Sequence, residues 1–220
     1  MMEKEKINLL PSLNAVELRV LGSLIEKYKV TPDYYPLTLN ALTLACNQKT
    51  SRKPVVEYDE QTVVMALDSL KKLSLVATAI GAGSRAVKYK HNFTLVYSMT
   101  SAELCVLCLL FLRGPQTPGE LNTNSARLYE FESLEEVMTV LQKLSDTDQP
   151  FVKELVKRPG QKEARFVHLF SEYNENENFD LPEEPARKSV NELESRLTIV
   201  EQELAEVKEN LNKLMRELLG

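Results

Sequence analysis

The string Ala15-Val16-Glu17-Leu18 returns 86 residues later as Ser101-Ala102-Glu103-Leu104, and much of what surrounds the first copy also surrounds the second. A chain that repeats itself once at this scale is two copies of one small unit, not a solenoid, and that limits its folds more than any other feature. In the first copy, LNAVELRVLGSLIEKY (residues 13–28) reads as a helix capped by Asn14, with Glu17 placed to return the bond and Leu13 to staple onto Leu18. Leu18, Leu21, Gly22 and Ile25 then share one face. The second copy repeats the device, with Thr100 as cap, Glu103 as its partner and Met99 stapling onto Leu104.

The segments after each opening helix also match. In the first unit, Pro36 is expected to open a helix running to about Cys46, and after the polar loop NQKTSRKP a third helix is capped near Asp59. Val63, Ala66, Leu67, Leu70 and Leu73 line one side of it. Leu75 to Ile80 is rich in strand formers, GAGS is a turn, and AVKYKHNF alternates, which predicts a hairpin. In the second unit a short helix starts around QTPGEL from Gln116, and Ser133 with Glu136 makes a capping box for the third helix, carrying Val137, Val140, Leu141 and Leu144. Strands are expected over Phe151 to Val156 and Ala164 to Leu169, with a turn at Arg158 to Gln161. Three helices and a hairpin, in that order, describe a winged helix.

The tail has a different period. From Val190, apolar residues recur at Leu193, Leu197, Val200, Leu204, Val207, Leu211, Leu214 and Leu218, alternating steps of three and four over four heptads. Sustained spacing of that kind predicts a coiled coil and a homodimer, although a helix folding back on its own domains fits the same stripe. A parallel pair sets Arg196 against Glu201 and Glu203 against Lys208, whereas an antiparallel pair centred on Leu204 sets Glu203 against itself. The expected class is therefore α+β, mainly helical: a tail (1–12), winged-helix domains at 13–98 and 99–171, an acidic linker (172–188) and a coiled-coil helix (189–220).

Charge is unevenly spread. The overall net of −5 divides into +4 over residues 1–100, −2 over 101–171 and −7 over 172–220. The three cysteines, Cys46, Cys105 and Cys108, imply no disulfide framework and fit a reducing cytoplasm. The start, MMEKEKINLL, does not read as a signal peptide. The longest apolar run, Leu104 to Leu112, would rise only about 14 Å as helix, too short to span a bilayer.

The layout closely resembles the YceH-like family of bacterial proteins of unknown function. The likeness is carried by Tyr35-Pro36-Leu37-Thr38, by ACNQKT (residues 45–50) with Arg52, Pro54 and Val55, and by RGPQTPGEL (113–121). ARLYEF (126–131), PFV (150–152) and HLF (168–170) extend it over nearly all of residues 13–171. The resemblance implies a tandem winged-helix fold and no established activity.

Chemistry-bearing motifs are few. His91 and His168 occupy equivalent places near the ends of the two wings, in separate units rather than one converging site, and read as structural. Cys105-x-x-Cys108 lies within an apolar helical run, without the four ligands of a zinc site or the electropositive helix start of a redox pair, and reads as core. Cys46 has no neighbouring base in sequence. No catalytic residue, metal or cofactor is expected, and the chain is expected not to be an enzyme. The candidate DNA-binding set is basic: Lys49, Arg52 and Lys53 in the loop before the third helix, Lys71 and Lys72 at its end, and Arg85, Lys88 and Lys90 on the wing. Against it stand Glu57, Asp59 and Glu60 at the start of that helix, and its outward Gln61, Asp68 and Ser69 include no arginine. The second domain opens its third helix with Glu132, Glu135 and Glu136, and Arg158, Lys162 and Arg165 on its wing compensate in part. Two readings result: a dimeric regulator that touches double-stranded DNA through its first domain, or a scaffold that docks other proteins.

Overall fold

Residues 10–80, 86–157 and 161–173 are described by a computed structural model. Helix α1 (Ala15–Val30) begins where its cap dictates. The Asn14 side chain accepts the N–H groups of Val16 and Glu17 at 3.0 Å each, and the Glu17 carboxylate accepts the Asn14 N–H at 2.8 Å. The reciprocal box satisfies donors that no intrahelical carbonyl can reach. The second helix starts later than Pro36. Leu37–Thr38 is instead a short strand, β1, and Thr38 caps α2 (Leu39–Cys46) by accepting the Ala41 N–H. Asp59 caps α3 (Glu60–Lys72) through the Thr62 N–H at 2.7 Å. Strands β2 (Val76–Ile80) and β3 (Val87–His91) form the expected hairpin, and β1 pairs with the far side of β3 to give an antiparallel sheet in the order β1-β3-β2. A four-residue helix, α4 (Phe93–Val96), comes next.

The second repeat opens with α5 (Ser101–Arg113), whose box at Thr100 and Glu103 is complete, and α6 (Pro118–Ser125) has another at Thr117 and Glu120. Helix α7 (Leu134–Ser145) has only half of the predicted box. Ser133 accepts the Glu136 N–H, but the Glu136 carboxylate turns outward to the Tyr129 hydroxyl and the Glu132 N–H, both at 2.8 Å. Strands β4 (Val152–Glu154) and β5 (Phe166–His168) are shorter than their sequence pattern.

The repeat extends to strand register. Val76 lies opposite His91 and Leu37 opposite Tyr89 in the first sheet. In the second, Val152 lies opposite His168 and Gln116 bridges Phe166, so Gln116 occupies the place of β1 reduced to a single bridge.

Helices α1 and α5 pack antiparallel, with the Lys29 ammonium at one end on the Ser101 hydroxyl (2.8 Å) and the Cys108 thiol mid-helix donating to the Gly22 carbonyl at 3.4 Å. Gly22 and Cys108 are repeat-equivalent, so the two helices meet about a local two-fold relation. Glycine is required there by space: a Cβ at position 22 would lie 2.9 Å from Leu112 Cγ. One continuous core spans both repeats, from Leu13 and Leu21 through Leu67 and Leu107 to Phe170. Phe170 gathers Phe93, Tyr97, Phe111 and Phe151 around it, with ring centroids 5.4 to 6.1 Å away. The described residues belong to one compact unit, and all nine heptad positions, Val190 to Leu218, lie outside the described residues. Among the described residues no helix is long and apolar enough to cross a membrane.

Candidate nucleic-acid interface

The loop between α2 and α3 is a tethered strap. The Asn47 side-chain amide closes it, donating to the Tyr58 carbonyl and accepting the Tyr58 N–H, both at 2.8 Å. Arg19, buried on α1, holds it from beneath by donating to the carbonyls of Cys46 and Pro54. Arg52 turns inward. Its guanidinium makes a bidentate pair with Glu26 at 2.9 and 2.6 Å and also donates to the Ala45 carbonyl and the Gln48 side chain, leaving the side chain 0% exposed. Burial alone would raise the Glu26 pKa, but the Arg52 bonds override it and the net shift is downward. Arg19 is lowered by burial and then by Arg52. Arg52 is thus removed from the expected DNA-facing set: a charge enclosed and hydrogen-bonded in this way has no donor left for a phosphate. The next residue, Lys53, is half-buried and its N–H is bonded to the Leu112 carbonyl at 2.8 Å, which carries the strap across to the second repeat. Lys49 stands exposed.

The lysines beyond α3 divide between two faces. Successive side chains of a strand point to opposite sides. Tyr89 faces the same way as His91, whose ring meets Tyr28 of α1 edge-on at 4.9 Å. Lys71 belongs to that side as well, with its ammonium 5.3 Å from the Tyr89 ring centroid and 3.0 Å from Asp68. Lys88 and Lys90 point the other way. Lys72 and Lys90 are exposed and Lys88 is half-buried, and none of the three has an ion-pair partner among the described residues. Arg85 lies outside the described residues. Of the eight expected cations, the structure leaves Lys49, Lys72, Lys88 and Lys90 accessible and without an ion pair among the described residues.

The histidines and cysteines are buried. Burial pushes His91 down to about 4, with the nearby Lys29 charge adding to the effect, and burial does the same to His168, which packs edge-on against Phe111 at 5.1 Å. Burial raises the thiols, Cys46 to about 11, Cys105 to about 12 and Cys108 well above its ordinary value, so all three stay protonated at neutral pH. Among the described residues no group of three or more His, Cys, Asp or Glu side chains could hold a metal ion.

In the second repeat, Arg165 is also engaged. It forks onto both Glu120 oxygens at 2.6 and 2.7 Å and donates to the Pro115 carbonyl, pinning β5 to the start of α6. Helix α7 presents Leu134 and Met138 to solvent at 45% and 43% exposure beside its acidic first turn. Nothing in the sequence marked the Arg52–Glu26 pair, because its members lie 26 residues apart on different elements. The strand at Leu37–Thr38 was hidden by its length of two residues.

The class defined by these observations is a duplicated helix-and-hairpin protein with four accessible lysines of its first repeat, Lys49, Lys72, Lys88 and Lys90, outside any ion pair among the described residues. A family model described as "Protein of unknown function, DUF480" matches residues 13–161. A UPF0502 protein of Shewanella sp. (strain MR-4) is 45% identical over 216 residues, covering 92% of this chain and 97% of that protein. Another UPF0502 protein, from Shewanella pealeana, is 46% identical over 210 residues, with 90% and 96% covered. The chain belongs to the DUF480/UPF0502 family of bacterial proteins, which is the family of the YceH-like resemblance.

Proposed function

We propose that this protein is a dimeric, DNA-associated regulator that touches duplex DNA through its first repeat, with each repeat a winged helix and residues 189–220 a coiled-coil pairing segment. Three helices followed by an antiparallel hairpin, with the same strand register in both repeats, support the winged-helix reading. The observation that carries the DNA reading is the set of lysines of the first repeat, Lys49, Lys72, Lys88 and Lys90, accessible and without an ion pair among the described residues. The test is duplex binding by the full chain as salt is varied, against a variant with all four lysines changed to Glu. Arg52 is left intact, because reversing a sealed charge would unfold the strap. A duplex binder loses affinity steeply with salt, and the variant loses both affinity and slope. For the dimer, mass measurement with and without residues 189–220 decides, and a full-length monomer removes it from the proposal.

A second reading is a scaffold, and the exposed Leu134 and Met138 on α7 favour it. Apolar side chains on an outward helix face suit a protein partner better than a phosphate backbone. Absence of duplex binding by the wild type at low salt transfers the weight to this reading.

A further inference from the structure

Winged-helix architecture usually assigns base reading to the third helix. In this chain that helix is poorly made for it. Helix α3 is capped by an exposed Asp59, begins at Glu60, and turns Glu60, Gln61, Met65 and Asp68 to solvent, Met65 at 60% exposure. No cation precedes Lys71 on it, and Lys71 is occupied by Asp68 and the Tyr89 ring. A phosphate chain approaching its first turn would meet carboxylates, and a base edge would meet a thioether.

The hairpin is built the other way. Lys88 lies directly across from Ala79 on one side and Thr38 on the other, and Lys90 across from Ala77. Alternation puts Lys88, Lys90, Ala77, Ala79 and Thr38 on one face of the sheet and the packed residues Leu37, Val76, Tyr89 and His91 on the other. The cross-strand neighbours of the two lysines are the small side chains of Ala77, Ala79 and Thr38, and the lysine positions are about 6.6 Å apart along the strand. Among its described residues the face has two point charges, no carboxylate and no planar amide or guanidinium to read a base.

Resting on the DNA reading, we infer that the first repeat holds the duplex by its phosphate backbone on the outer face of the hairpin, through Lys88 and Lys90, and leaves the bases unread by α3. The contact is therefore indifferent to sequence. Specificity, where the cell needs it, comes from elsewhere than this helix.

Fluorescence anisotropy of labelled duplexes of about 20 base pairs and several unrelated sequences tests this, using the full-length chain. Three proteins are compared: wild type, Lys88→Gln with Lys90→Gln, and Gln61→Ala with Met65→Ala. All the changed side chains are at the surface, and thermal melts verify that each variant folds. The expected result is wild-type binding within about threefold across sequences. The lysine pair should lose about two from the salt slope and roughly tenfold or more in affinity at low salt, while the α3 pair stays within about twofold. Duplex binding that survives the lysine change and falls with the α3 change overturns the inference and leaves the DNA reading standing, as does discrimination between duplexes of about a hundredfold. No binding by the wild type at low salt overturns the DNA reading and, with it, this inference.

Discussion

The two repeats share helix order, caps and strand register, and each holds one arginine–carboxylate fork, at unrelated positions and in opposite surroundings. In the first, Arg52 forks onto Glu26 beneath the strap, with side chains 0% and 13% exposed. In the second, Arg165 forks onto Glu120 at the surface, with 30% and 38% exposed. The bond lengths are nearly the same, so geometry does not distinguish them. Water does. A sealed pair cannot lose one member without leaving the other charged and unsolvated, whereas an open one hands its survivor to solvent. The first repeat has committed a cation to structure that its sequence advertises as available.

The sharpest break in this comparison is Arg52→Ala, which strands Glu26 and frees the strap, and should cost about 3–5 kcal/mol in urea unfolding at neutral pH. Both repeats also enclose a histidine in equivalent register, and here they should behave alike. Each ring is held neutral with its pKa lowered from 6.5 to about 4. The unfolded chain therefore binds protons first as pH falls. The stability each ring contributes is complete above about pH 6.5, declines through the window down to about 4, and is worth roughly 3 kcal/mol per ring. Unfolding midpoints between about pH 7 and 4.5 for the wild type, His91→Phe and His168→Phe check this; each variant should lose part of the decline, and one that keeps it all marks a ring that is solvated. Gly22→Leu places a side chain where α1 and α5 touch and should destabilise by about 2 kcal/mol, read as a lower urea midpoint with an unchanged slope. The smallest effect belongs to Arg165→Ala, about 1 kcal/mol or less in the same assay. Equal losses for Arg52→Ala and Arg165→Ala would sink the contrast.

How much of this could be read from the chain depends on range. Caps are local devices, and Asn14, Thr100, Asp59 and Ser133 stand at the helix starts where the sequence puts them. The missing half of the box at Glu136 shows the limit, since Tyr129, seven residues back, offers its carboxylate another donor. The hairpins were legible because strand alternation and turn residues are also local. The burial of Arg52 was not, because a count of basic residues records charge and not partners, and its partner arrives from α1. The division of Lys71 from Lys88 and Lys90 needed the register of β3, which no single stretch of sequence contains.

The close approach of Gly22 to Cys108 has a further meaning. A homodimer joined through this helix would have to carry one residue type at both sides of its axis, and every mutation would appear there twice. Covalent joining removes that constraint. One side of the crossing can be hollowed to glycine while the other keeps Leu112 and Phe111 to fill the hollow, and dilution cannot separate the halves. The chain holds a permanent pairing of its own two units, whose surfaces are free to diverge toward different partners while their shared seam stays closed.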